Sequence, residues 1–286
     1  MPYRRTIRYE SPLFAWHELE LTEPAPQWSS AYRPETPRLM VPGSRWVEAE
    51  QRGARFVCDA LSPLWLTPAQ PYRMRQPFAG QRSVVLIFEC AAAGDQDPQE
   101  GATGAPPPDA RPRLGPRAQW TLARCRAALD AGAPDRLAME EAVLGLWPAA
   151  LADPVAEDAD VPPHRAVERA RELIAADPAA DLSLRDLAEA AACSPFHLAR
   201  RFRRATGIGL HAYRTRLRMV QALRRLADGE EALIQLALDL GYASHSHFSA
   251  AFQACYGLSP SRARELLWAG RARARFNRRV STGARR

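Results

Sequence analysis

The chain contains no lysine and no Cys-x-x-Cys pair, and its longest apolar run near the N-terminus, Val84–Phe88, is only long enough for a strand. Its five cysteines are odd in number and widely spaced, which argues against a disulfide framework and favours free thiols in a reducing compartment. The N-terminal segment MPYRRTIRYE lacks the apolar core of a signal peptide. We therefore expect a soluble cytoplasmic protein that does not associate with membranes.

Charge is divided unevenly along the 286 residues, a length sufficient for two domains. Residues 163–286 hold 22 arginines and 11 acidic residues, whereas residues 1–162 hold 17 arginines and 21 acidic residues. A basic half joined to a mildly acidic half favours a polyanion-binding module attached to a domain of another kind.

The first ninety residues have the short, aromatic and β-branched segments that are typical of an all-β domain. Gln51, Arg52 and Gly53 predict a hairpin turn. The clearest strands are predicted over residues 45–50, 55–59, 63–67, 72–76 and 83–90. We expect these strands to form a small sheet or barrel.

Proline-rich segments divide the rest of this half. Residues 91–117 carry six prolines and no periodicity, so we expect a disordered loop. Helical spacing within residues 118–148 predicts two helices, which could cover the sheet or pair with a second subunit. Residues 1–150 are therefore predicted to form a β-rich domain with two helices for effector sensing or dimerisation, and the acidic residues 151–163 a linker.

Aromatic side chains of the β region are the candidates for an effector pocket. The alternative is that they only fill a small β core. The candidates are Trp16, Trp46, Trp65 and Tyr72.

Metal and thiol chemistry have little support in this half. His17 is the only histidine of the β region, whereas a metal-dependent cupin enzyme needs several histidine or carboxylate ligands. Cys58 and Cys90 could form a redox switch, although isolated cysteines are more often packing residues. We expect no cofactor and no catalytic step.

Residues 164–270 contain the same helical pattern twice, about fifty residues apart, which predicts an all-α domain with two helix-turn-helix units. Residues 271–286 carry seven arginines and are predicted to be a disordered basic tail. The four clearest matches, each at an offset of fifty, pair Ser194 with Ser244, Leu198 with Phe248, Phe202 with Phe252 and Gly207 with Gly257. Ser194 and Ser244 should cap helices, and the two apolar pairs should be buried.

The second helix of each unit should enter the major groove of double-stranded DNA. Its candidate contact residues in the first unit are Phe196, His197, Ala199, Arg200, Arg201, Arg203 and Arg204. In the second unit they are His245, Ser246, His247, Ser249 and Gln253.

The types of these residues suggest different roles. Arg200 can donate two hydrogen bonds to a guanine edge, while the other arginines suit phosphates. Phe196 could contact a thymine methyl or serve in packing. The second unit has Ala250 and Gln253 at the places of Arg200 and Arg203, so the first unit should contribute more of the charge-dependent affinity.

The segment His211–Ala227 is predicted to form one continuous helix between the units. About seventeen residues at about 1.5 Å each give roughly 25 Å. This length, with the width of each unit, could place the two recognition helices about one DNA turn apart, roughly 34 Å. One subunit would then contact two successive major grooves.

Two alternatives compete with sequence-specific binding. A metal-dependent cupin enzyme fused to a DNA-binding module lacks a ligand cluster, and the pair His245 and His247 diverges on a helix with no third ligand. A non-specific architectural protein is disfavoured because the two outward faces differ.

Residues 236–264, LALDLGYASHSHFSAAFQACYGLSPSRAR, resemble the signature of the AraC/XylS transcription regulators. With residues 193–207, the similarity covers roughly Val167–Trp268. The chain departs from the usual pattern at Ala250, where many relatives are basic, and at Ala263, where an aromatic residue is common. The matching positions are Ala237, Gly241, Tyr242, Phe248, Ser249, Phe252, Gly257, Pro260 and Arg264.

The resemblance implies a bacterial DNA-binding regulator, commonly an activator that contacts RNA polymerase. It also implies an N-terminal domain, often cupin-like, that binds an unknown small-molecule effector, forms a homodimer, or does both. Such a protein would be nucleoid-associated when bound to DNA.

Overall fold

The structure is a computed structural model that describes residues 3–43, 45–88, 111–132, 134–146 and 164–269. Its contacts divide the chain into two compact units. The first comprises Met1–Leu114 and Trp147–Arg214, and the second comprises Gly115–Leu146 and Thr215–Arg286. The predicted linker, the predicted basic tail and residues 91–110 of the predicted loop lie outside the described residues, so the predicted domain boundaries stay predictions.

Within residues 3–43 and 45–88, the β region of the first unit is built from eight antiparallel strands in two sheets. One sheet has the strand order β1-β2-β8-β3-β6, and the other has the order β5-β4-β7. The strands are β1 Tyr3–Glu10, β2 Phe14–Leu21, β3 Arg38–Pro42, β4 Val47–Gln51, β5 Ala54–Cys58, β6 Leu64–Leu66, β7 Tyr72–Arg75 and β8 Arg82–Phe88.

These strands confirm the predicted β-rich region. The predicted hairpin turn is present, with Arg52 at φ 52° and Gly53 at φ 77°, and Gln51 pairs with Ala54 across it. Two successive residues of positive φ match the twist of the flanking strands, which explains why this pair turns so tightly. The cupin-like detail stays a prediction.

The first unit also contains the first helix-turn-helix. Its helices are α3 Arg165–Ala176, α4 Leu184–Ala190 and α5 Pro195–Thr206, and α6, Leu210–Asp228, follows. Helix α4 begins with a capping box, in which Ser183 and Asp186 each accept a hydrogen bond from the other's backbone N–H.

The second helix-turn-helix belongs to the second unit. Its helices are α7 Leu233–Asp239 and α8 His245–Tyr256, and a last helix, α9, covers residues 260–269. Its core confirms the predicted burial of Phe248 and Phe252, both with no exposed surface, and Leu198 and Phe202 are equally buried in the first unit. The predicted helix over residues 211–227 is also confirmed, since α6 includes all of them.

Two further helices of the second unit are α1 Pro116–Ala131 and α2 Arg136–Leu144. Helix α1 packs against the core of the second helix-turn-helix through Trp120, Ala123 and Ala127. The predicted loop therefore ends earlier than expected, because Pro116 starts a helix and Leu114 is only 2% exposed. Neither role considered for these helices from the sequence includes this packing.

The turn inside the first helix-turn-helix contains a strained residue. Ala192 has φ 53°, whereas the matching residue of the second unit, Gly241 at φ 77°, has no Cβ to clash in this left-handed conformation. A left-handed alanine costs about 1–2 kcal/mol.

Ala192→Gly should raise the free energy of unfolding by about 0.5–1 kcal/mol, because the relief of strain exceeds the entropy that glycine adds to the unfolded chain. Urea titration of the full chain measures this change. The matched variant Gly241→Ala should lower the same free energy, and a destabilising Ala192→Gly would contradict the strain.

Candidate nucleic-acid interface

The two candidate recognition helices, α5 and α8, begin and end in the same way. The Ser194 side chain accepts a hydrogen bond from the His197 backbone N–H at 3.2 Å, and Ser244 accepts one from His247 at the same distance. Each helix ends at a glycine in the left-handed conformation, Gly207 and Gly257. The repeated pattern therefore produces repeated local structure.

An arginine at the same position of the repeat stabilises each helix-turn-helix. Arg214 donates to the Leu182 carbonyl at 2.9 Å, directly before α4 begins, and Arg264 donates to the Glu231 carbonyl at 2.8 Å, shortly before α7 begins. These two arginines fix the start of the first helix of each helix-turn-helix. Their guanidinium groups therefore stabilise the fold.

The outward face of α5 is strongly basic. Phe196 is 79% exposed, and Arg200, Arg201, Arg203 and Arg204 are exposed as well. Among the described residues, no carboxylate lies within 4 Å of Arg200 or Arg203, so both can take an anionic partner.

Two of the candidates on α5 are less accessible. Ala199 and His197 are half-buried. The His197 ring lies 5.9 Å from that of His164, at the start of α3. Burial, Arg201 and His197 lower the pKa of His164, so a neutral ring is favoured there.

The outward face of α8 is polar and almost uncharged. His245, Ser246, His247 and Gln253 are exposed, and Ser249 is half-buried. Such a face offers hydrogen bonds to bases but little attraction for phosphate.

The two histidines of α8 have different neighbours. The Oγ atom of Ser249 lies 3.4 Å from Nε2 of His245, whereas the His247 ring packs edge-on against Tyr242 at 5.2 Å. In the part of the chain that the structure describes, no group of three or more His, Cys, Asp or Glu residues is placed to hold a metal ion.

A buried polar cluster connects the β region to the first helix-turn-helix within the first unit. Asp59, next to β5, accepts hydrogen bonds from Tyr213 of α6 and from Arg171 of α3, the latter at 3.4 Å. Glu168 of α3 binds Arg171 at 3.2 Å and accepts from the Val57 backbone N–H. We call Asp59, Glu168, Arg171 and Tyr213 the inner cluster.

Its electrostatics favour the charged arginine. Burial alone lowers the pKa of Arg171, but Glu168, Tyr213 and Asp59 together raise it well above its ordinary value. Burial raises the pKa of Tyr213, which therefore stays protonated and donates to Asp59.

The C-terminal end of α5 has a second connection to the N-terminal half. Arg113 donates hydrogen bonds to the carbonyls of Ala205 and Thr206, the latter at 2.9 Å. A cation at this end also complements the helix dipole. The inner cluster and Arg113 together hold the first helix-turn-helix against the β region.

A helix-turn-helix domain family matches residues 187–266. An AraC-like transcription regulator of Streptomyces lividans is 39% identical over 114 residues, which are 40% of this chain and 34% of that protein. A relative of the same description from Streptomyces antibioticus is 38% identical over 42% of this chain and 36% of its own length. The helix-turn-helix region of this chain is therefore of the AraC/XylS type.

Among solved structures, the C-terminal domain of AraT from Geobacillus stearothermophilus is 33% identical. The match covers 35% of this chain and 84% of that domain, with a TM-score of 0.34. The chain spans about a third of the length of the two Streptomyces relatives, so the AraC/XylS assignment rests on the helix-turn-helix region.

The structure separates the four aromatic candidates for an effector pocket. A cavity does lie in the β region, and Tyr72 lines it. The other three candidates, Trp16, Trp46 and Trp65, are at most 8% exposed and are not among its lining residues. Alternation along β2 explains the case of Trp16, because neighbouring His17 points to the opposite face and does line the cavity.

The thiol candidates cannot be compared as a pair, because Cys90 lies outside the described residues. Burial raises the pKa of Cys58 strongly, which keeps its thiol protonated and unreactive. Separately, within the described ranges no helix is both long and apolar enough to span a membrane.

Sequence reasoning missed the inner cluster and Arg113. Asp59 is 112 residues from Arg171, and Arg113 is 93 residues from Thr206. No motif of that spacing exists in the sequence. The one available signal was an aspartate directly after an apolar strand.

Proposed function

We propose that this chain is a sequence-specific DNA-binding transcription regulator. The observation that carries the proposal is the exposed face of α5, where Arg200 and Arg203 project from a capped helix of a helix-turn-helix and have no carboxylate partner among the described residues. Unpaired guanidinium groups on such a helix suit guanine edges and phosphates.

We also propose that the second helix-turn-helix binds DNA. Each subunit would contact two successive major grooves, about one helical turn apart. The face of α8 would contribute hydrogen bonds to bases through His245, Ser246 and Gln253. Since α8 carries no arginine, most of the charge-dependent affinity would come from α5.

The experiment begins with selection of bound sites from random double-stranded DNA, followed by gel-shift titration of the full chain. Arg200→Ala should relax discrimination at one base pair of the selected site by about 1–3 kcal/mol, because a bidentate contact to guanine is lost. Arg203→Ala is the matched variant on the same face. It should weaken binding to all sequences about equally and reduce the slope of affinity against salt by about 1.

The outcomes separate the alternatives. Unchanged base preference in Arg200→Ala would remove Arg200 as a base-contacting residue. If selection enriched no sequence and random DNA bound equally well at physiological salt, the protein would be an architectural DNA-binding protein.

The finer parts of the proposal are supported by the family resemblance. They are activation through RNA polymerase, homodimerisation, response to a small-molecule effector and location in the cytoplasm at the nucleoid. The inner cluster and Arg113 give effector sensing a physical route, since both join the β region to the helix-turn-helix that carries Arg200. The relatives are transcription regulators, which implies that this chain is not an enzyme.

A further inference from the structure

The β region contains a cavity of about 360 Å³. Every strand of the five-stranded sheet and β7 of the other sheet contribute lining side chains. The buried residues of the lining are mostly apolar. The volume of the cavity lies within the usual range of small-molecule sites, about 300–1,000 Å³. The buried apolar residues are Leu21, Met40, Leu66, Met74 and Val85.

The charged residues that line the cavity are all basic. Arg5 and Arg38 line it, and none of its lining residues is Asp or Glu. Arg5 is exposed and Arg38 half-buried, so the charge lies toward the solvent side of the apolar part.

Neither arginine has an anionic partner among residues 3–43, 45–88 and the later described ranges. Arg38 donates only to the Thr36 carbonyl, at 3.3 Å, and no carboxylate lies within 4 Å of either guanidinium. Several other arginines of the β region do bind carboxylates. Arg55 and Arg73, for example, both bind Glu50, at 2.8 and 3.4 Å.

Burial is the main cause of the pKa shifts of two titratable groups that line the cavity, His17 and Tyr72. Burial lowers the pKa of His17. The charges of Arg5 and Arg38 lower this pKa further, whereas Glu10 raises it. Burial raises the pKa of Tyr72 to about 12, so its hydroxyl stays protonated as a possible hydrogen-bond donor.

We propose that this cavity binds an organic carboxylate with an apolar body. The carboxylate accepts hydrogen bonds from Arg5 and Arg38, and the body lies among Met40, Leu66 and Val85. Charge-assisted hydrogen bonds between arginine and carboxylate are about twice as strong as neutral ones. The inference rests on the proposed regulatory function, for which it names the chemical class of the effector.

The test is calorimetric titration of the full chain with octanoate and benzoate as probes. Octan-1-ol supplies the apolar body without charge, and acetate supplies the charge without the body. We expect saturable binding of at least one of the two larger carboxylates, and binding at least about tenfold weaker for its uncharged or truncated counterpart.

Arg38→Gln and Arg5→Gln should each weaken carboxylate binding by about tenfold or more. Arg55→Gln, on the three-stranded sheet and outside the cavity lining, is the matched control and should bind like the unchanged chain. Equal binding of octanoate and octan-1-ol, retention of affinity in both cavity variants, or no binding of either larger carboxylate would overturn the proposal.

Failure of this inference is distinguishable from failure of the proposed function. Calorimetry requires no DNA, and site selection requires no carboxylate. Specific DNA binding without carboxylate binding would leave the regulator and remove the ligand class. Carboxylate binding without specific DNA binding would support the ligand class and remove the proposed regulatory function.

Discussion

Arg171→Met should lower the free energy of unfolding of the first unit by about 3–5 kcal/mol, since it removes the cation of a buried ionic cluster. The side chains of Arg171 and Asp59 are only 8% and 2% exposed. Methionine keeps much of the apolar volume but leaves Asp59 and Glu168 with buried charges that water cannot solvate. At about 2–4 °C per kcal/mol, the melting temperature should fall by roughly 6–20 °C in circular dichroism.

Two comparisons isolate the contribution of the buried charge to the free energy of unfolding. Arg82→Met removes the cation of an exposed pair, in which the side chains of Arg82 and Glu20 are 56% and 36% exposed, and should cost less than about 1 kcal/mol. The double variant Asp59→Asn with Arg171→Met should be more stable than Arg171→Met alone, because one unpaired charge is gone. Equal effects of Arg171→Met and Arg82→Met would contradict the role of the inner cluster.

Phe202→Ala should destabilise the first helix-turn-helix by about 3–5 kcal/mol, because it leaves a cavity in a closed core. Phe202 has no exposed surface and packs edge-on against Tyr213, with ring centroids 5.2 Å apart. Tyr213 belongs to the inner cluster, so the loss should also disturb the contact with the β region. Urea titration of the full chain measures the change.

Phe196→Ala is the control within the same helix. Phe196 is 79% exposed, so its removal should change the free energy of unfolding by no more than about 0.5 kcal/mol. The same variant tests whether Phe196 contacts DNA, since gel-shift affinity for a site with a thymine at the matching position should then fall. If the two phenylalanine variants were equally stable, the assignment of buried and outward faces on α5 would be wrong.

The helix-turn-helix units were predictable because their determinants are local. A serine that caps a helix, a proline at its first turn and a glycine at its end act within a few residues. Burial of Leu198 and Phe202 follows from their spacing on one helix face. The repeat made these signals stronger, because Ser244 and Gly257 repeat the same caps fifty residues later.

The β region was predictable in part. The turn at Arg52 and Gly53 follows from local chemistry, and five predicted strands coincide with β4–β8 apart from their ends. The lining of the cavity did not follow from aromatic content. Which face of a strand encloses a cavity depends on the other strands, so Trp16 lies outside the lining while its neighbour His17 lies within it.

The sequence by itself determined the two helix-turn-helix units, their caps and their outward faces, because helix periodicity and capping are short-range effects. It did not identify the arginines that stabilise the fold, because arginine is abundant throughout the chain. Tertiary structure made Arg171 a buried counter-ion and made Arg214 and Arg264 ligands of backbone carbonyls. An arginine's role is set by the groups around its guanidinium, and those groups come from distant parts of the chain.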